Sequence, residues 1–191
     1  ALYKPVGVVS SARGQGSQRT AVELVGESRR VYPAGRLDID SEGLLFLTND
    51  GDLAARITHP RYGHEKEYRV LLDQRPVPGQ IRAWARGVVL ADGRPTGPVG
   101  LTLGRSTGEG CWIRVVMREG RKRQIRETAK ALGLHVRRII RTRIGGLRLG
   151  SLKPGEWRRL DVRELKLLSV SGSGPRVRAR TRLSKSGVGR T

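Results

Sequence analysis

Apolar positions along the chain fall into short blocks, most alternating with period two and a few with a period near 3.6. The opening ALYKPVGVVS reads as a short strand, a Lys-Pro turn and a second strand at Val8–Ser10. Ser11–Arg19 is a polar Gly/Ser/Gln loop, and Thr20–Val25 predicts a brief helix. Val31–Ala34 is strand-like, Gly35–Gly43 is a charged loop, and Leu44–Thr48 is an apolar run suited to a buried strand. Asn49, Asp50 and Gly51 cap a short helix over Asp52–Thr58 that turns Leu53, Ala54 and Ile57 inward. Lys66–Leu72 alternates as a strand, and Pro78–Arg86 carries helix signals bounded by Gly79 and Gly87. Further strands are expected near Val88–Leu90, Val99–Leu103 and Cys111–Met117.

The clearest helical period covers Gln124–Leu132, with Ile125, Ala129 and Leu132 on one face and Gly133 as the stop. Lys122, Arg126 and Lys130 form a cationic stripe beside that face. Leu134–Arg141 returns as a strand, a Gly-Gly loop and Pro154–Leu160 follow, and a last short helix is expected at Val162–Leu168. Trp84, Trp112 and Trp157 are assigned to the core. Many strands with interspersed short helices, and no regular strand–helix alternation, predict an α+β fold with a mixed, mostly antiparallel sheet. There is no internal repeat, and no apolar run approaches the roughly 20 residues a membrane span needs.

Composition narrows the partner. The 191 residues carry 38 Lys and Arg against 17 Asp and Glu, a formal charge of +21, with 37 % hydrophobic and 4 % aromatic residues. That length suits one domain with a tail and can bury a proper core. A lone cysteine, Cys111, excludes a disulfide framework and suits the reducing cytoplasm. Three scattered histidines with one cysteine argue against a structural zinc site. Such a balance calls for a polyanionic partner, nucleic acid ahead of an anionic membrane surface.

The charge is uneven. Residues 1–117 are close to balanced at +4, whereas residues 118–148 hold 11 basic and 2 acidic residues. The tail from Ser169, SVSGSGPRVRARTRLSKSGVGRT, has no apolar period and reads as a disordered basic arm over residues 169–191, beside a folded domain over 1–168.

Three clusters could carry chemistry. The first is Gly35–Glu42, which places Arg36, Asp38, Asp40 and Glu42 between two apolar strands. It fits a capping turn, a divalent-metal site, a pair of glycosidase carboxylates, or one Asp acting as nucleophile or base beside a cation in an RNA groove. The scattered remaining acids weaken the metal reading, and the charge of +21 suits neutral sugars poorly. The second, REGRKRQIR over Arg118–Arg126, is either a solvated basic face or a rim where Arg126 ionises a neighbouring carboxylate. The third is KEYRV, where Lys66, Tyr68 and Val70 share one strand face. Tyr68 is either a core residue or a platform for a base. GQGSQR lacks the spacing of the known phosphate-binding glycine loops.

These clusters, in this order, resemble the bacterial ribosomal-RNA pseudouridine synthases, the branch typified by RsuA, RluB, RluE and RluF. LYKPVGVVS is similar to the family's opening strand, YPAGRLDIDSEGLLFLTNDGDLAARITHP to its most diagnostic motif, KEYRV to its second and EGRKRQIR to its third. LGLHVRRIIRTRIGGLRLGSLKPGEWRRL resembles the closing segment, so the likeness covers about residues 1–168. The resemblance implies the pseudouridine-synthase fold, base flipping, no cofactor and no metal. It implies Asp38 as the catalytic aspartate, Tyr68 as the residue stacked on the target base, and Arg126 as the cation paired with Asp38. Arg36 would hold the vacated position in the RNA, with Lys66, Arg121, Lys122, Arg123 and Gln124 as further RNA-binding positions. Ile125 and Leu149 would form the pocket's apolar wall. Glu127-Thr128 departs from relatives that carry a second Arg after the QIR core. Relatives also commonly carry a small N-terminal RNA-binding domain, which is expected to be naturally lacking or removed here, since the chain starts at Ala1. The expected protein is a monomeric rRNA uridine isomerase acting on large-subunit RNA, the alternative being an RNA-binding assembly module without catalysis.

Overall fold

Strands rich in β-branched and aliphatic residues assemble into one eight-stranded sheet, shown by a computed structural model that describes residues 1–12, 14 and 16–169. In chain order the strands are β1 (Leu2–Lys4), β2 (Tyr32–Ala34), β3 (Glu42–Thr48), β4 (Lys66–Leu72), β5 (Gly100–Thr107), β6 (Gly110–Met117), β7 (Val136–Ile144) and β8 (Leu147–Arg148). The helices are α1 (Ala21–Val25), α2 (Gly51–Thr58), α3 (Pro78–Arg86), α4 (Gln124–Ala131) and α5 (Val162–Ser169). The sheet order is β1-β3-β7-β4-β6-β5, with β2 added to β3 and β8 to β7. Every pairing is antiparallel except β3 with β7.

That parallel strand pairing is short, Glu42 opposite Ile140 and Gly43 opposite Arg141. Gly43 has φ +106°, and a Cβ there would lie 2.4 Å from the Arg141 carbonyl oxygen, so only glycine lets the two backbones meet. The contact joins the charged loop before β3 to β7.

Period-two alternation along β7 sends Ile139 and Ile140 into different cores. One core packs Val70, Leu72, Ile113 and Val115 against Trp84 of α3 and Ile125 and Ala129 of α4. The other packs Leu44, Phe46, Ile140 and Ile144 with Ile57 of α2 and Leu168 of α5. A smaller cluster of Leu2, Val8, Leu45 and Val25 lies under α1.

The predicted caps form: Asp50 accepts from the Leu53 amide, and Gly133 turns out of α4 at φ +71°. Two predicted strands do not. Val8–Ser10 makes one isolated bridge, Val9 with Thr20, because Pro5 lacks an amide hydrogen and Gly7 turns the chain at φ +83°. Val88–Leu90 likewise makes only the bridge Val89–Pro95, where the proline has no donor to continue a ladder. The strand expected at Leu44 starts two residues earlier, because Glu42 is buried and accepts from the Tyr3 hydroxyl. Of the three tryptophans only Trp84 is fully core. Trp112 is half-buried beneath the Arg69 guanidinium, and Trp157 is 38 % exposed on the segment that edges β1. The proposed basic arm lies almost wholly outside the described residues. No helix among the described residues is long and apolar enough to cross a membrane.

Candidate active site

A pocket of about 630 Å³ opens where the two large cores meet. That volume is ordinary for a small-molecule or nucleotide site. Its buried wall includes Ile57, Tyr68, Ile125, Ile139 and Arg141, and its mouth carries the exposed Arg36, His59 and Lys122. Asp38 and Lys66 are both half-buried in its lining.

The loop that presents Asp38 is tied down carbonyl by carbonyl. The Arg36 oxygen accepts from Arg141 Nη1 at 3.0 Å, and the Leu37 oxygen from Ser10 Oγ at 2.9 Å. The Asp38 oxygen accepts from the Ser41 amide at 3.0 Å, and the Ile39 oxygen from the Gly7 amide at 2.9 Å. The Asp40 oxygen accepts from Arg126 Nη2 at 2.8 Å. Five consecutive carbonyls therefore have donors from four different segments, which leaves the Asp38 side chain little backbone freedom. Ser10 also accepts from the Leu37 amide at 3.0 Å, which explains why the turn after β1 is a clamp rather than a strand.

Lys4 completes the clamp from below. It is fully buried, and its ammonium donates to the Pro5 and Val8 carbonyls at 2.9 and 2.8 Å. Burial, then the nearby Arg141, lowers its pKa to about 8. Arg141 is 2 % exposed, and its Nε donates to the Leu44 carbonyl at 2.8 Å. Neither residue was singled out from the sequence. A lysine beside Pro5 in an opening strand and an arginine ending the run RRIIR are the signals that were available.

The three acids of the loop diverge. Asp40 Oδ2 lies 3.0 Å from Arg123 Nη1 and 3.1 Å from Arg126 Nε, the latter close enough for charge attraction but misaligned for a hydrogen bond. Glu42 is held by Tyr3 and Arg138. Asp38 makes no ion pair and no side-chain hydrogen bond among the described residues. Arg126 was expected to pair with Asp38; its ion pair is with Asp40. The turn over residues 38–41, closed by the Ser41 amide on the Asp38 carbonyl, and the position of α4 put the carboxylate two residues on within reach. Burial pushes Arg126 down from the usual guanidinium value, while Asp40 and, more distantly, Asp38 act in the opposite sense.

The basic cluster is mostly occupied within the protein. Arg118 pairs with Glu65 at 3.5 Å, Arg121 with Asp92, and Arg123 and Arg126 with Asp40. Arg121 also donates to the Pro95 carbonyl at 3.1 Å, so with its Asp92 pair it ties the loop to the segment over residues 92–95. Gln124 is buried, accepts from the Arg121 amide at 3.0 Å and donates to Glu119. Arg123 sits at φ +55°, a left-handed conformation worth roughly 1 kcal/mol of strain for a residue with a Cβ. Lys122 is exposed and has no ion pair among the described residues. Leu149 packs in the α2–α5 core and does not line the pocket, whereas Ile125 does. Tyr68 is both a core residue and a lining residue, 7 % exposed with Leu37 and Val70 in its cluster.

A clamped aspartate with no ion pair among the described residues, sharing its pocket with a buried tyrosine and a cationic mouth, is a constellation of the kind the motif order implied. The family description "RNA pseudouridylate synthase" matches residues 1–131. The chain belongs to this family. It is 42 % identical over 182 residues to ribosomal large subunit pseudouridine synthase E of Xanthomonas campestris, covering 86 % of this chain and 96 % of that protein. It is 37 % identical over 194 residues to the dual-specificity RNA pseudouridine synthase RluF of Escherichia coli strain K12, covering 100 % of this chain and 65 % of that protein. A crystal structure described as a pseudouridylate synthase superposes with a TM-score of 0.76 at 33 % identity, over 87 % of this chain and 71 % of that one. The synthase therefore has the fold its sequence resembled, and it is an enzyme of uridine isomerisation.

Proposed function

We propose that the synthase isomerises a specific uridine of large-subunit ribosomal RNA, with Asp38 as the catalytic carboxylate. The observation that carries this is the contrast inside one loop: Asp40 and Glu42 are paired with arginines, and Asp38 faces the pocket with no ion pair among the described residues. The target must leave its stack to reach a half-buried carboxylate, at a cost of a few kcal/mol. Isomerisation then breaks the C1′–N1 bond and forms a C1′–C5 bond, with no change of oxidation state. Asp38 can act by attack on the sugar or base or by removing a sugar proton, and its ionised state serves all three.

Tyr68 supplies the face on which the flipped base stacks, and Ile125 and Ile139 exclude water around it. Arg126 is a positioning residue, because it holds Asp40 and its carbonyl two residues from the reacting carboxylate. Arg36, Lys122 and the exposed part of Arg123 fit phosphates at the mouth, and Arg121 and Gln124 keep that loop in place. The 96 % coverage of the large-subunit relative supports the choice of RNA. The synthase is taken to act as a monomer on rRNA in the cytoplasm.

The test is pseudouridine formation in large-subunit rRNA incubated with the synthase and with Asp38→Asn. The wild type forms product and the variant binds the RNA without forming any. Equal product from both would overturn the assignment of Asp38, and RNA binding without product from the wild type would favour an assembly module.

A further inference from the structure

Three half-buried charged side chains in the pocket lining lack an ion pair among the described residues, Asp38, Lys66 and Glu119, and Lys66 is the one cation of the three. The acids beside Lys66 in sequence belong to other cations. Glu65 pairs with Arg118 and Arg143, and Glu67 pairs with Arg114 and Arg143. Glu119, across the pocket, is held by Gln124 and by the Gly97 amide at 2.6 Å. The Lys66 side chain reaches from β4 to the loop after β6, where a Cβ on Gly120 would lie 3.9 Å from Nζ. Behind it lies buried Arg141, whose Nη2 has no hydrogen-bond partner. Burial, then Arg141, lowers the Lys66 pKa, and no carboxylate opposes them.

Holding a cation half out of water without a counter-charge is costly unless a ligand supplies one. Lys66 and Tyr68 are two residues apart on one face of β4, so their side chains stand next to each other. A base stacked on Tyr68 presents its edge, with its carbonyl oxygens, toward its neighbours on that strand. A phosphodiester is bonded to nucleotides on both sides and stays at the mouth with Arg36 and Lys122; the base alone can go deeper.

We propose that Lys66 is a catalytic residue: its ammonium hydrogen-bonds the carbonyl oxygens of the flipped uracil and stabilises the negative charge that the base acquires as the C1′–N1 bond breaks. This rests on the reading that Asp38 acts on a uridine in this pocket. The electron pair of the broken bond goes to the uracil and spreads over N1, O2 and O4. The deficiency at C1′ is met by the Asp38 carboxylate or by loss of a sugar proton to it. C5 then forms the new bond to C1′ as the ester bond to Asp38 breaks or as Asp38 returns the proton to the sugar, the C5 proton is lost, and N1 takes up a proton, so atoms and charge balance with no redox partner. Lys66 keeps its own protons throughout. Its hydrogen bonds strengthen as charge grows on the oxygens, which is the condition for lowering a barrier rather than merely binding.

The experiment uses the whole chain and transcribed large-subunit rRNA made with uridine or with 5-fluorouridine. Fluorine withdraws electrons and makes the base a better leaving group, so cleavage of C1′–N1 should depend less on Lys66. With uridine, Lys66→Met is expected to lower single-turnover rate by about 100-fold, while RNA affinity changes less than about threefold. With 5-fluorouridine the loss of C1′–N1 cleavage should shrink to about tenfold or less, and Lys66→Arg should recover part of the uridine rate. Equal losses on both RNAs, a loss confined to affinity, or full activity in Lys66→Met would each overturn the proposal. An active wild type with a dead Asp38→Asn and a fully active Lys66→Met would overturn this step alone. An inactive wild type would overturn the parent reading and this one with it.

Discussion

The loop Gly35–Glu42 and the loop Arg118–Arg126 look alike as stretches of dense charge, and the fold treats them alike as well. In the first, Asp40 and Glu42 are bound to arginines and Asp38 is left facing the pocket. In the second, four arginines are bound to Glu65, Asp92 and Asp40, and Lys122 is left at the pocket mouth. The loops also hold each other, since Asp40 of one meets Arg123 and Arg126 of the other. Half of the charge in the first cluster and most of it in the second therefore builds the site, and the remainder, Arg36, Asp38 and Lys122, is turned to the pocket. A net charge of +21 identifies the kind of partner but overstates how much positive charge is free to touch it.

The sharpest way to break this division is to compare Asp38→Asn with its neighbours. Asp38→Asn should lower turnover by more than about 1,000-fold with an unchanged melting temperature, because it removes reacting charge and no structural contact. Calorimetry showing a clear drop in melting temperature would place Asp38 among the structural charges. The holding side is tested by Lys4, whose folded pKa of about 8 lies below the usual 10.5. Between those values the unfolded chain binds the extra proton, so this contribution to stability rises with pH across that window. Denaturant melts at pH 7.5 and 9.5 should show the stability of wild type relative to Lys4→Met rising by about 2 kcal/mol. A flat or falling difference would mean that Lys4 is not a strained buried cation.

Local signals carried much of this fold. The alternation in KEYRV placed Lys66 and Tyr68 on one strand face, Asp50 and Gly133 marked helix ends, and the fold class followed from strand spacing. What was not legible depended on contacts far apart in sequence. Asp38 and Asp40 are equivalent by pattern, and only the packing of α4 decides that Arg126 meets Asp40. Val8–Ser10 has strand composition, yet Gly7 and Ser10 are used against the aspartate loop 30 residues later. Lys4 and Arg141 carry no local signal of burial in a one-dimensional pattern, and both are buried because the β1–β3–β7 contact covers them. Charge pairing is a property of the assembled sheet, so the sequence could name the clusters and not their divisions.

Two smaller effects sharpen the comparison. Asp40→Asn leaves Arg126, the more buried of its two partners, without a counter-ion, and should cost about 1–2 kcal/mol after allowance for the 37 % exposure of the Asp40 side chain. At this chain length that is a fall of roughly 2–8 °C in melting temperature, with turnover reduced through a displaced Asp38 loop. An unchanged melting temperature would show the pair to be electrostatically idle. Lys122→Ala should do the reverse, leaving stability within about 0.5 kcal/mol of wild type and weakening RNA binding severalfold. Its dependence of log affinity on log salt should fall by about one unit, as expected for one lost phosphate contact. Arg121→Ala, which removes a charge already paired with Asp92, should change that slope less. If both variants lower the slope equally, the paired arginines are available to RNA after all, and the division between building charges and binding charges fails for the basic loop.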